Sequence, residues 1–215
     1  MAEFIRARSE EQKAERMAEI KSVTEQLFKE YPYHEITLST IGEKLGWSRA
    51  NLYKYVCSKE EIFLQLTSDA MTAYFEALLK AFAKAKNLTI EDAAKKWANV
   101  SAKHRDWAIY GSILVSIFET NVTLERLIEF KRGYYSGLDS LRETISPVIG
   151  VTEENFEKIF YAIHYHEMGL SGFCMLNPIA LEAMKTLGVK TTGPNIKKEM
   201  EAFIAMCLKE YSTLK

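Results

Sequence analysis

The sequence predicts an all-α protein, and three observations carry that expectation. Only four prolines interrupt 215 residues, and no segment keeps the alternation of apolar and polar side chains that a half-buried strand needs. Apolar residues recur instead three and four apart over long segments, which gathers them on one face of a helix. Residues that start or stop helices separate those segments. Ser48, Ser58, Thr89 and Thr152 suit the starts, and Pro32, Pro147 with Gly150, and Asn177 with Pro178 suit the ends.

In chain order, the first helix is expected over 9–31, with Met17, Ile20, Val23, Leu27, Phe28 and Tyr31 on one face and Pro32 ending it. An arm at 4–8 carries Arg6 and Arg8 ahead of it. Residues 37–63 read TLSTIGEKLGWSRANLYKYVCSKEEIF. Leu38, Ile41 and Leu45 form the buried stripe of a short helix, and Gly46 permits the reversal that follows. Ser48 caps a second helix over 48–56, whose inward side is Leu52 and Val56. Its outward side carries Arg49, Asn51, Tyr53, Lys54 and Tyr55, polar and aromatic groups that folding alone does not require there. Ser58 with Glu61 reads as a capping box, so a long helix over 59–84 begins at once. The pattern is a helix-turn-helix whose second helix is shaped for a DNA major groove.

Beyond it, helices are expected over 89–104, 106–120, 123–146, 152–176 and 195–211, with a short helical turn at 179–187 and a loop at 188–194. Helix 106–120 is apolar nearly all round, as a central helix is. That gives nine main helices, no strand, no internal repeat and no low-complexity segment.

Composition narrows the function classes. The formal charge is -1, so the chain lacks the overall basic character of many nucleic-acid binders. Fields in physiological salt decay over about 8–10 Å, however, and local charge decides docking. Arg6, Arg8, Lys44, Arg49, Lys54 and Lys59 lie in or beside the motif. Cys57, Cys174 and Cys207 are far apart and without CxxC spacing, which fits a reducing cytoplasm. No apolar run approaches about 18 residues and no signal-peptide core opens the chain, so a soluble, cytoplasmic protein is expected. No phosphate-binding glycine loop, nucleophile elbow or HExxH occurs, so neither an enzyme nor a cofactor is expected. His164, His166 and Glu167 invite a metal, but i and i+2 point to nearly opposite sides of a helix and His164 with Glu167 makes only a pair, so no metal is expected.

On the second helix of the motif, Arg49 and Asn51 suit base edges, because Arg pairs bidentately with guanine and Asn with adenine. Lys54 suits either a base or a phosphate. Thr37, Tyr53, Tyr55 and Lys59 suit phosphates, and Trp47 reads as a packing residue or a neighbour of the phosphate backbone rather than a base reader.

The stretch resembles the DNA-binding signature of the tetracycline-repressor (TetR) family of bacterial regulators. The resemblance rests on Thr37, Ile41 with Gly42, Gly46, the run Leu52-Tyr53-Lys54-Tyr55-Val56, and Ser58-Lys59-Glu60. Gly42 stands where Ala is usual, at a helix cost of about 1 kcal/mol, and Val56 stands where Phe is usual. The resemblance implies a three-helix DNA-binding head at 1–66 and a helical ligand-binding and dimerisation domain at 67–215. It implies a homodimer through the last two long helices, 152–176 and 195–211, and a palindromic DNA operator released by a small-molecule effector. The last helix offers a wide apolar stripe, Ile196, Met200, Phe203, Ile204, Cys207, Leu208 and Tyr211, for core and partner alike. Trp107, Tyr110, Phe118, Tyr134, His164 and Glu167 are the expected lining of a site for an apolar or aromatic effector; ordinary core packing explains the aromatics equally well. The rival reading is a small-molecule-binding protein or enzyme whose helix-turn-helix is vestigial.

Overall fold

A computed structural model describes residues 2–174, 178–189 and 195–214, with the side chains of 10–171 and of most of the later residues. Among the described residues the chain is helical throughout its regular structure: ten α-helices, one 3-10 turn, one π turn and no strand. The all-α expectation holds. The chain forms two compact units, Met1–Leu66 with Val115–Leu127, and Thr67–Leu114 with Ile128–Lys215.

The first unit contains α1 (Ala2–Glu30), the 3-10 turn Tyr33–Glu35, α2 (Leu38–Leu45), α3 (Arg49–Leu52) and the first turns of α4 (Lys59–Phe82). Helix α1 begins at Ala2, so the expected arm at 4–8 has a helical backbone; the side chains of Arg6 and Arg8 lie outside those described. Thr37 caps α2 in a reciprocal box with Thr40, and Gly46 closes it in the left-handed conformation, φ 68°. Gly42 has a physical reason here. A Cβ on it would lie 3.0 Å from the carbonyl oxygen of Trp47, whose own N–H donates to the Gly42 carbonyl at 2.8 Å.

Ser48 caps α3 by accepting from Asn51 N–H. The helix is shorter than the expected 48–56. Lys54 and Tyr55 N–H groups donate to carbonyls three residues back, the tighter pattern common at a helix end. The core gathers Ile20, Ile41, Leu52 and Phe63. Phe63 stacks on Phe118 at 5.3 Å and meets Phe28 and Tyr33 edge-on at 5.3 and 5.0 Å.

The second unit contains the rest of α4, α5 (Ile90–Lys103), α6 (Arg105–Ile113), most of α7 (Leu124–Ile145), α8 (Glu153–Cys174), α9 (Pro178–Thr186) and α10 (Ile196–Tyr211). Helix α10 packs on α5 and α8, and α6 packs on α8. Thr89 and Asp92 form the capping box expected at the start of α5. Trp97, Phe156 and Phe160 lie in the core. Arg142 joins α7 to α8 through Glu157 at 3.0 Å and Glu153 at 3.5 Å. After α10, Thr213 N–H donates to the Gly150 carbonyl at 2.9 Å and Ser212 Oγ–H donates to that of Ile149.

One expectation fails. Residues 106–120 do not form a single enclosed α-helix: α6 ends at Ile113 and a π turn, Leu114–Phe118, follows. The boundary between the units falls within that turn. Val115 is 65% exposed while Phe118 is fully buried, because Phe118 packs on Phe63 and Tyr33 in the first unit.

Candidate functional site

The helix-turn-helix places Arg49, Tyr53 and Lys54 at the surface, with Asn51 and Tyr55 half-buried. Leu52 and Val56, buried on the opposite side, hold that orientation. Arg49 Nη2 donates to the Tyr53 hydroxyl at 2.9 Å, and its guanidinium lies 5.4 Å from the ring centre. The pair is stiffened but still exposed, so both can turn to a new partner. Tyr55 packs on Trp47 at 5.7 Å, and the Arg16 guanidinium lies 5.5 Å from the Trp47 ring centre. The exposed Thr37 hydroxyl accepts from Thr40 N–H at 3.1 Å, so its first task is capping.

Lys59 is more committed than its sequence position suggested. Its ammonium donates to the carbonyls of Tyr33 at 2.9 Å and Ile36 at 2.7 Å, and sits 4.0 Å from the Tyr33 ring centre. Tyr33 in turn donates its hydroxyl proton to Glu60 at 2.7 Å. Burial lowers the Lys59 pKa, against a smaller upward pull from Glu60. Lys59 therefore ties the 3-10 turn to α4, and one N–H donor remains for an outside group.

Of the six expected ligand-site residues, five belong to the second unit, and Phe118 belongs to the first, in the aromatic stack described above. Trp107 stacks on the His164 imidazole, rings 4.7 Å apart and nearly parallel at 8°. Tyr134 lies 6.3 Å from Trp107, and Phe75 meets both at 6.1 Å. Tyr110 is buried at 4% exposure. Gly111 allows a close approach: a Cβ there would stand 3.2 Å from Met168 Sδ and 3.5 Å from His164 Cε1.

Glu167 follows His164 by one helical turn on α8 and is 2% exposed. Trp107 Nε1, His164 Nδ1 and both carboxyl oxygens of Glu167 are buried without a hydrogen-bond partner. Such groups are uncommon in folded proteins and call for an explanation. Burial lifts the Glu167 pKa to about 7; the hydroxyls of Ser101 and Tyr74 pull it the other way but close no hydrogen bond on it. Burial also drops the His164 pKa to about 4, so its imidazole is neutral. Beside the pair, Trp97 Nε1 donates to the Tyr74 hydroxyl at 2.9 Å, and Tyr74 shares a 3.3 Å hydrogen bond with Ser101.

Sequence reading missed the polar roles of Tyr74 and Ser101: Tyr74 reads as an ordinary inward-facing residue of α4, and Ser101 lies in the last turn of α5. It also missed an open cleft of about 570 Å³ between α4 and α5, bordered by Lys80, Lys95, Lys96 and Lys103, with none of the six expected ligand residues in its lining. Among the described residues no three His, Cys, Asp or Glu gather as metal ligands, and no helix is long and apolar enough to cross a membrane.

A short, capped helix-turn-helix with polar groups outward, joined to a separate helical unit, defines a DNA-binding regulator class. The family comparisons agree. Residues 20–66 match the model of bacterial regulatory proteins of the tetR family, and residues 68–211 match the tetracyclin repressor-like C-terminal domain. The chain belongs to the TetR family of transcriptional regulators.

Solved structures share its fold. A tetR-family regulatory protein from Rhodococcus RHA1 is 14% identical with a TM-score of 0.58, over 93% of this chain and 98% of that one. The fatty acid degradation regulator FadR from Bacillus halodurans is 16% identical with a TM-score of 0.58, over 89% and 94%. The TetR-family transcriptional regulator PfmR from Thermus thermophilus is 15% identical with a TM-score of 0.56, over 91% and 99%. No curated protein sequence matches the chain.

Proposed function

We propose that this regulator is a cytoplasmic, homodimeric repressor that leaves a palindromic operator when a small molecule binds its C-terminal domain. Residues 1–66 are the DNA-binding domain in this reading and 67–215 the ligand-binding and dimerisation domain. The observation that carries it is the exposure of Arg49, Tyr53 and Lys54 on α3 and the turn that ends it, with Leu52 and Val56 buried on the other side. Arg49 and Asn51 read base edges. Tyr53, Lys54, Tyr55 and Thr37 meet phosphates, with the remaining donor of Lys59.

One short helix reads too few bases to select a genomic site, so two-fold pairing is required. The partner-facing surface is assigned to α8 and α10, where Tyr165 and Met206 are 62% and 58% exposed. An added Cβ at Gly169 would meet nothing, so that face of α8 is open to a neighbour. Ligand binding near Trp107, Tyr110, Tyr134, His164 and Glu167 would shift α4, which runs through both units. Half-sites lie about 34–36 Å apart or a multiple of it, so a shift of a few ångströms in the recognition helices spoils joint docking.

The test is a gel shift on the DNA beside the gene, repeated with hydrophobic compounds. Retarded DNA that an effector frees, with the release lost in Tyr110→Ala, is the expected result. Linkage requires the effector to bind more weakly in the presence of operator by the same factor. A monomer at micromolar concentration that retards no DNA at low salt overturns the proposal.

A further inference from the structure

The polar atoms left unpartnered around Trp107 point to the chemistry of the effector. They are an unusual set for a site facing an apolar molecule. Glu167 offers two carboxylate oxygens and His164 offers Nδ1, all buried and closing no hydrogen bond, although the Ser101 and Tyr74 hydroxyls act on Glu167. A neutral imidazole carries its proton on one nitrogen and accepts on the other. With Nε2 protonated, the cluster presents three acceptors, two of them one turn along α8 from the third. The flat indole of Trp107 lies parallel to the imidazole, and Tyr134 and Phe75 stand within 6.1–6.3 Å of it.

We propose that the effector is an organic cation, a protonated amine on an apolar body, whose ammonium donates to Glu167 and His164 Nδ1 beside the Trp107 face. The inference rests on the ligand-released regulator described above and names the chemical class of its ligand. Three facts converge on it. A primary ammonium carries three donors and no acceptor, which matches three acceptors that close no hydrogen bond. A buried carboxylate is stable when it is paired and hydrogen-bonded, and a ligand cation supplies both. Aromatic faces attract a desolvated cation through the ring quadrupole.

The indole N–H is a donor, so an amine that also bears a hydroxyl or ether oxygen is held better than a plain alkylamine. Entry falls to Met168, half-buried and in contact range of Gly111 beside His164. Its unbranched side chain can swing aside with little strain. An anionic head, by contrast, would face a buried carboxyl that no cation offsets.

Three probes with one tail and different heads decide the matter: decylamine, decanol and decanoate, each below its aggregation concentration and titrated calorimetrically into the full-length protein. Decylamine is expected to bind at least tenfold more tightly than either of the others. Glu167→Gln should remove that advantage and leave decanol unchanged, with circular dichroism confirming the fold. Because Glu167 ionises at about 7, decylamine affinity should climb from pH 5 to pH 7 while that of decanol stays level. Decanol or decanoate binding as tightly as the amine, and weakened by Tyr134→Ala, overturns the cation assignment and keeps the ligand-site reading. Failure of all three probes to bind overturns the cation assignment, and the gel-shift test of operator release then judges the regulator reading separately. Equal decylamine binding by wild type and Glu167→Gln also overturns it.

Discussion

Replacing Glu167 with Gln keeps the size of the side chain and removes its ability to ionise, so it isolates the energy stored at that carboxyl. In the folded chain Glu167 ionises at about 7, against 4.5 for an unperturbed group, and burial is the main cause. Between those values the folded state holds more protons than the unfolded state. Its contribution to stability therefore falls as pH rises through that window and is lowest above pH 7. The gap amounts to roughly 3 kcal/mol.

His164 works in the opposite sense. Its folded pKa is about 4 against 6.5, so the unfolded state holds the extra proton and stability grows from pH 4 to pH 6.5. The two nearly cancel in the wild type from pH 4.5 to pH 6.5. In Glu167→Gln only the rise survives. The groups that act on the carboxyl are the hydroxyls of Tyr74 on α4 and Ser101 on α5, and among the described residues no cation offsets it. Urea unfolding at pH 5, 6, 7 and 8, at one protein concentration because the proposed dimer would make stability depend on it, should show the variant gaining on wild type by roughly 3 kcal/mol between the ends of the range. Equal pH slopes for the two proteins would refute a strained, unpaired Glu167. So would a charged His164 at pH 6 by NMR, since the two would then form an ion pair.

Three further predictions concern DNA and assembly. Arg49→Ala and Asn51→Ala should each relax preference at particular base pairs by roughly 1–3 kcal/mol, and a panel of single-base operator variants measures it. Lys54→Ala should weaken all sequences alike. Lys59→Ala breaks the two carbonyl bonds and the ring contact, so it should destabilise the head by roughly 1–3 kcal/mol, seen as a lower unfolding midpoint without DNA; an unchanged midpoint would return Lys59 to a purely DNA-facing role. Met206→Glu, on the exposed side of α10, should yield folded monomers by sedimentation, whereas Ile204→Glu, at 0% exposure, should unfold the chain by burying an unpaired carboxylate. A folded Met206→Glu dimer would move the interface away from α10.

The elements readable from sequence were those fixed by near neighbours. Ser48 caps α3 three residues on, Thr89 and Asp92 close a box within one turn, and Gly46 adopts the left-handed backbone that the reversal demands. Arg49 and Lys54 were recognisable as a solvent-facing set because Leu52 and Val56 fix the buried side of the same turn. What escaped depends on distant partners. The attachment of Lys59 spans 23 and 26 residues to the carbonyls it binds, and no local pattern marks a carbonyl as the partner. Phe118 carries the same apolar signal as Trp107, yet it ends a π turn that belongs mostly to the other unit. The orphaned polar atoms were invisible for a related reason. Four helices supply Tyr74, Ser101, Trp107 and Glu167, and only their packing reveals which polar atoms are left without a hydrogen bond.

The placing of the three tryptophans gives each unit its own optical label. Trp47 lies half-buried in the first unit beside Arg16 and Tyr55, so its emission should be red-shifted and open to quenching by dissolved iodide. Trp97 and Trp107 are sealed in the second unit at 0% and 1% exposure, and should emit to the blue beyond a quencher's reach. The imidazole stacked on Trp107 adds a proton-sensitive quencher of its own. Colour and quenching, read together, therefore separate events at the DNA-facing turn from events around His164 in one unlabelled sample.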